Sequence, residues 1–198
     1  MKLSKSSVTL ISLAVVVVVL LLGVVSSYNG LVTKDEAATT AWAGVQTQYQ
    51  RRADLIPNLV NTVKGYAKHE SETLENVVSA RARATQMTID PTNASAEQLQ
   101  QYQAAQGELS QAIGRLLMVA ENYPDLKANE NFSELQAQLE GTENRINESR
   151  QLYNAAVQDY NVSVRRFPTN IVAGLFGFGQ KSKFEAAAGT ETAPNVSF

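Results

Sequence analysis

The chain has 198 residues, 17 basic and 19 acidic, with one histidine, no cysteine and a net charge of −2. Without cysteine there are no disulfides, thiolate metal sites or cysteine nucleophiles, and His69 alone leaves too few ligands for a His/Cys zinc site. The slightly acidic balance offers no attraction to nucleic acid phosphates, so no nucleic acid partner is expected.

Met1–Ser7 is polar with two lysines, and Val8–Val25 then runs for 18 residues without a charge. As an α-helix that run rises about 27 Å, close to the roughly 30 Å hydrocarbon core of a bilayer. Residues 1–27 are therefore read as a short polar segment and a transmembrane signal-anchor. The apolar run is longer than that of a cleaved signal peptide, although Val25 and Ser27 form a weak cleavage pair before Tyr28. Lys2 and Lys5 precede the span and Lys34 follows it, which favours an inside N-terminus and a domain on the non-cytoplasmic side of the cell (inner) membrane. The anchor contains no acidic residue, so the 173 residues from Ser26 onward carry 15 basic and 19 acidic side chains, net −4, and suit one domain.

From Tyr28 to about Met87 the pattern predicts one long helix. Trp42, Val45, Tyr49, Arg52, Ile56, Leu59, Val63, Tyr66, Glu70, Thr73 and Val77 recur at alternating steps of three and four, the spacing of an apolar seam. Pro57 is the breaker: it removes the bond to the Ala53 carbonyl and predicts a kink there, or else Asp54 caps a new helix with Pro57 in its first turn. Ile89–Ser95 reads as a turn, and Ser95 with Gln98 as a capping box opening a second helix. Leu99, Tyr102, Gln106, Leu109, Ile113, Leu116, Ala120 and Tyr123 form its seam, which ends before Pro124.

Asp125–Asn131 reads as the next turn. A third long helix is predicted from about Phe132 to Phe167, with Leu139, Thr142, Ile146, Tyr153 and Tyr160 on its seam, and Pro168 stops it. Short turns between long helices predict antiparallel neighbours. The first helix exceeds the second in length, so part of it either stands as a stalk near the membrane or pairs with the third. Phe167–Phe178 is an apolar block that either caps the bundle or presents Ile171, Val172, Leu175, Phe176 and Phe178 to lipid or a partner, with Lys181 and Lys183 beside it suited to anionic lipid. Residues 179–198, small and polar, are read as a disordered tail.

Several stretches are specific beyond periodicity. Tyr28-Asn29-x-Leu31-Val32 follows the anchor, and Arg51-Arg52-Ala53-Asp54-Leu55-Ile56-Pro57-Asn58-Leu59-Val60 is followed by Val63-Lys64-Gly65-Tyr66-Ala67. Glu121-Asn122-Tyr123-Pro124-Asp125-Leu126-Lys127, Leu139-Glu140-Gly141-Thr142-Glu143-Asn144-Arg145-Ile146, Arg150-x-x-Tyr153-Asn154 and Phe167-Pro168 come later. With these the chain resembles the LemA family of bacterial membrane-anchored helical proteins across residues 28–178. The resemblance implies an all-α fold: one N-terminal transmembrane helix followed by an antiparallel long-helix bundle of three to four helices. It implies no enzymatic activity and no cofactor.

Arg52 and Glu70 fall on the apolar seam. Either their stems pack while their heads reach the surface, or buried ion pairs with Glu121, Glu143 or Arg150 set helix register. Tyr28 is placed at the membrane interface, and Trp42 in the core. His69-Glu70 begins like a zinc-protease motif, but position 73 is threonine, and no phosphate loop, nucleophile elbow or calcium loop occurs. The expected function is a non-enzymatic interaction or scaffold protein of the bacterial envelope, working through its surface. The candidate surface comprises Asp54, Pro57 and Asn58 at the kink, Tyr123, Pro124 and Lys127 at the second turn, and Phe167, Leu175, Phe176 and Phe178 in the apolar block. The expected partners are the bilayer, unidentified envelope or membrane proteins and further copies of the chain. The alternative is an envelope sensor or ligand-binding bundle that relays a signal through its kinked first helix.

Overall fold

A computed structural model describes residues 5–91 and 94–185. The elements are α1 (Lys5–Tyr66), α2 (Ser71–Gln86), α3 (Ala96–Ala120), the one-turn α4 (Pro124–Lys127), α5 (Glu130–Arg165) and α6 (Thr169–Phe176), with no strand among the described residues. The fold is all-α: a helical bundle carried on one long N-terminal helix, whose first part is long and apolar enough to cross a membrane. The residues from Thr9 to Val25 are exposed, and Leu10, Leu13, Leu20 and Leu22 are all more than half exposed.

Two boundaries differ from the sequence expectation. The long first helix does not continue to Met87. It ends at Tyr66, turns through four residues, and α2 folds back beside it. Lys64 lies in the last turn of α1 and Glu72 in the first turn of α2, each suited to the helix dipole at its own end. The seam periodicity runs through this reversal because both helices face one core. Val63, Ala67, Leu74 and Val77 are all buried in the same cluster. The second expected turn also contains α4, whose Leu126 is fully buried.

Pro57 sits inside α1, so the cap-and-restart alternative does not apply. Proline has no N–H, which deprives the Ala53 carbonyl of its usual partner four residues on. Arg81 of α2 supplies that donor through Nε at 2.8 Å. A defect in one helix thus fixes the position of the next.

The four long helices alternate in direction. α5 returns antiparallel along α1, with Asn129 bonded to Tyr66 at one end and Lys34 paired with Asp159 at the other. The long first helix therefore pairs with the third expected helix rather than standing free as a stalk. α3 opens with the capping box expected at Ser95 and Gln98, and pairs antiparallel with α2 through Arg83–Glu108 and Gln106 to the Ala84 carbonyl. Thr92 and Asn93, in the turn before it, lie outside the described residues.

The core has three sections along α1. The distal section joins α1, α2, α3 and α5 around Ile56, Leu59, Leu109, Leu116 and Phe132. The middle section is aromatic: the Trp42 ring lies 5.2 Å from Tyr153, 5.6 Å from Tyr102 and 5.6 Å from Phe184. The section nearest the apolar end of α1 contains Leu31, Val172 and Ala173.

The disordered tail expected from Gly179 is corrected as far as Glu185. This segment is an extended strap with Phe184 and Lys181 buried; residues 186–198 lie outside the described residues. Two Tyr-Asn pairs on α5 dock the strap. The Asn161 side-chain amide donates to the Lys181 carbonyl at 2.8 Å and accepts from the Lys181 N–H at 2.9 Å. Asn154 does the same for Phe184, with both bonds at 2.9 Å. Seven helical residues rise about 10 Å, and three extended residues span about the same, so the two clamps match in spacing.

Candidate functional site

Three surfaces stand out, at three heights along α1. The middle one is a cleft between α3 and α5, which do not pack closely along their lengths. It encloses about 640 Å³, with Tyr49 and Arg52 of α1 at its floor and Gln103, Gln111, Asn147 and Arg150 among its walls.

Arg52 is 1% exposed, and of the two readings given to it the buried ion pair is the one observed. Nη1 lies 2.5 Å from Glu143 and 2.6 Å from the Ser110 hydroxyl. Nη2 donates to the Gln106 side-chain oxygen at 2.5 Å and to the Gln106 carbonyl at 3.2 Å. Its planar fork thus ties α1 to α3 and α5 together, as a compact ammonium could not. Nε has no acceptor among the described residues. Glu143 is over one-third exposed, so one end of the pair meets the cleft. The other suggested partners are engaged elsewhere: Glu121 pairs with Lys127, and the Arg150 guanidinium lies 4.7 Å over the Phe184 ring. Glu70 forms no ion pair with them but accepts the Tyr123 hydroxyl proton at 2.9 Å, a bond to a carboxylate that holds the Tyr123 phenol above its ordinary pKa.

Burial raises several phenols of the bundle. Tyr102 and Tyr153 are each pushed up to about 12 by desolvation, to which nearby Tyr49 adds at Tyr102. Tyr160 is also pushed to about 12, by desolvation and then by Asp35. These phenols stay neutral well above physiological pH and serve as packing and hydrogen-bonding groups.

The distal surface holds Tyr123, Pro124 and Lys127. Pro124 opens α4 and Lys127 is exposed, while Tyr123 is half-buried against the α1–α2 turn. Asp54, Pro57 and Asn58 occupy the outward face of α1, separate from that group. The Asp54 carboxylate accepts from Gln50 at 2.7 Å, and the Asn58 carbonyl accepts from the Thr62 hydroxyl at 2.8 Å.

The third surface lies where α1 leaves the bundle. α6 packs Val172 and Ala173 against Leu31. The Tyr28 ring lies between Phe176 at 5.0 Å and Phe178 at 5.6 Å. Gly177, at φ 77°, ends the helix in a conformation that favours glycine, and the Phe178 N–H turns back to the Ala173 carbonyl at 2.9 Å. Phe167 and Leu175 are about three-quarters exposed, while Phe178 is half-buried. The apolar block therefore both caps the bundle and leaves a hydrophobic flank uncovered. Lys181 does not join that flank, contrary to the sequence reading: it is buried and paired with Asp35 at 3.0 Å. Lys183 bonds Gln158 at 3.3 Å. The exposed basic residues at α6 are Arg165 and Arg166.

The candidate residues thus fall into separate distal, lateral and anchor-end groups. Sequence reasoning missed the cleft and the strap. The strap had a signal in the Tyr-Asn pairs at 153–154 and 160–161, seven residues apart.

An up-and-down helical bundle growing from a single apolar helix, with an arginine locked between three helices, defines the class of this molecule. The chain belongs to the LemA family, whose profile matches residues 41–198. It is similar to magnetosome protein MamQ 2 of Paramagnetospirillum magneticum, with 26% identity covering 83% of this chain and 67% of the relative. It is likewise 25% identical to magnetosome protein MamQ of Magnetospirillum gryphiswaldense, with the same coverage. Protein LemA of Metamycoplasma hominis is 23% identical, over 80% of this chain and 69% of the relative.

Proposed function

We propose that this protein is a non-enzymatic, single-pass membrane protein of the bacterial envelope that presents its bundle as an interaction surface to partner proteins or to further copies of itself. One observation carries the reading: α1 runs for 62 residues from the apolar segment into the centre of the bundle. Every surface of the domain is then held at a fixed height above the span. The lysines before the span favour the non-cytoplasmic side of the inner membrane for the domain. The distal group around Tyr123 and Lys127, the outward face at Pro57 and the α3–α5 cleft are the surfaces offered to proteins.

In-cell photocrosslinking tests the proposal, with a photoreactive residue placed in turn at Pro57, Gln103 and Lys127. A discrete adduct to another envelope protein or to a second copy supports it. Absence of protein adducts at all three positions argues against it.

A second reading draws on the cleft. A ligand entering between α3 and α5 would meet Arg52 and Glu143 and could alter how α1 is held, making the bundle a sensor. Ligand-dependent stabilisation that disappears in Arg52→Met would favour this reading over the first.

A further inference from the structure

We propose that α6 is a second membrane contact: a short, largely apolar helix that lies in the phospholipid headgroup layer beside the anchor and holds the bundle at a set orientation. This rests on the reading of residues 8–25 as a membrane span.

The argument begins with height. If Val8–Val25 fills the hydrocarbon core, Tyr28 lies about 5 Å and Leu31 about 9 Å beyond its edge, at 1.5 Å per residue. Headgroup zones extend the bilayer from roughly 30 Å to 40–45 Å, about 5–8 Å on each side. Leu31 packs against Val172 and Ala173, and Tyr28 against Phe176 and Phe178. The body of α6 is thereby fixed within or just above that zone, with its C-terminal end on the anchor side.

Facing comes next. Val172 and Ala173 turn into the bundle. Ile171 and Leu175, one helical turn apart, form a stripe on the other flank and are 54% and 75% exposed, and Phe167, just before the helix, is 76% exposed. Phe176, at 56% exposed, adds to its lower end. Four large, exposed apolar side chains within ten residues are a concentration that a soluble surface rarely carries. An aromatic and aliphatic flank is suited to the headgroup and acyl boundary.

Charge completes the case. Arg165 and Arg166 are exposed immediately before Phe167. Guanidinium groups at that position suit phospholipid phosphates. The basic-then-apolar order of Arg165-Arg166-Phe167 gives the polar and apolar parts of the layer one partner each.

The chain contains no cysteine, so single reporters are clean. Full-length protein in vesicles of phosphatidylethanolamine and phosphatidylglycerol would carry a solvatochromic probe at Leu175→Cys, Ile171→Cys, Val16→Cys or Lys127→Cys. Lipids brominated near the headgroup end of the acyl chain serve as quenchers. Far-UV circular dichroism confirms that each labelled protein is folded. The expected result is blue-shifted, lipid-quenched emission at 171 and 175, quenching at 16 by deeper bromines, and neither effect at 127. Quenching at 16, with 171 and 175 behaving like 127, would overturn this proposal while leaving the anchor reading intact. No quenching at 16, 171 or 175 would overturn both. A blue shift at 175 without lipid quenching, lost on diluting protein in lipid, would mean that a second copy covers the stripe and would also overturn it.

Discussion

The bond from Arg81 to the Ala53 carbonyl predicts a specific coupling with Pro57. Replacing Arg81 by methionine keeps most of the stem and removes the Nε donor at 2.8 Å from the carbonyl. Ala53 is 2% exposed, so its carbonyl loses a partner where water has little access. A buried acceptor left unsatisfied costs about 1–3 kcal/mol. For a domain of this size that is a loss in Tm of roughly 4–8 °C at the middle of the range. In a Pro57→Ala background, residue 57 regains an N–H that can close the ordinary helical bond to Ala53. Arg81→Met should then cost no more than a typical surface substitution, about 0.5 kcal/mol. The double-mutant cycle, read by thermal and urea denaturation in a mild detergent, should give a coupling of about 1–2 kcal/mol. Equal losses in both backgrounds would refute the reasoning, because the arginine would then act independently of the proline.

Arg52→Ala should lower stability by roughly 1–3 kcal/mol through the lost bonds that join α1 to α3 and α5; Glu143→Gln should also destabilise, because it leaves the buried guanidinium without its counter-charge, and denaturant melts of both variants check this. Phe184→Ala should cost about 3–5 kcal/mol by opening a cavity beside Trp42, and should increase protease cleavage of the strap. Asn154→Ala combined with Asn161→Ala should release the strap while leaving α1–α5 helical, seen as faster proteolysis after Gly179 with little change in circular dichroism. Alkaline pH should destabilise the fold. Tyr102, Tyr153 and Tyr160 have folded pKa values raised to about 12 from 10, so their contribution is complete below pH 10 and is lost as pH rises through 12. Ultraviolet titration of tyrosinate alongside Tm checks this: Tm should hold up to about pH 10, and tyrosines titrating at 10 without loss of Tm would contradict it.

Much of the architecture is legible in the chain because helices signal themselves through periodicity. The seams of α3 and α5, the Ser95 cap and the buried position of Trp42 all follow from side-chain type and spacing. The reversal at Ala67–Glu70 was hidden for a physical reason: a four-residue turn carried the three-four alternation from one helix to the next, so the pattern contained no gap. The sequence narrows the partner of Arg52 to two acidic residues, Glu121 and Glu143, but the selection between them depends on how α5 registers against α1. Strap docking was missed because Gly179–Glu185 has the composition of a tail, and its order comes from asparagines on another helix. Surface residues such as Pro57 and Lys127 were nameable, but their separation into distal, lateral and anchor-end groups required the topology.

The account depends most on α1 being one continuous rod that joins the apolar segment to the bundle through Pro57. Spin labels at Asn29→Cys and Asn61→Cys in the full chain, reconstituted in lipid nanodiscs, test that directly by pulsed dipolar spectroscopy. Thirty-two residues of helix separate the labels by about 48 Å. The account predicts one narrow distribution near that value. A broad distribution, or one centred well below it, would show a hinge between anchor and bundle and would contradict a surface held at fixed height.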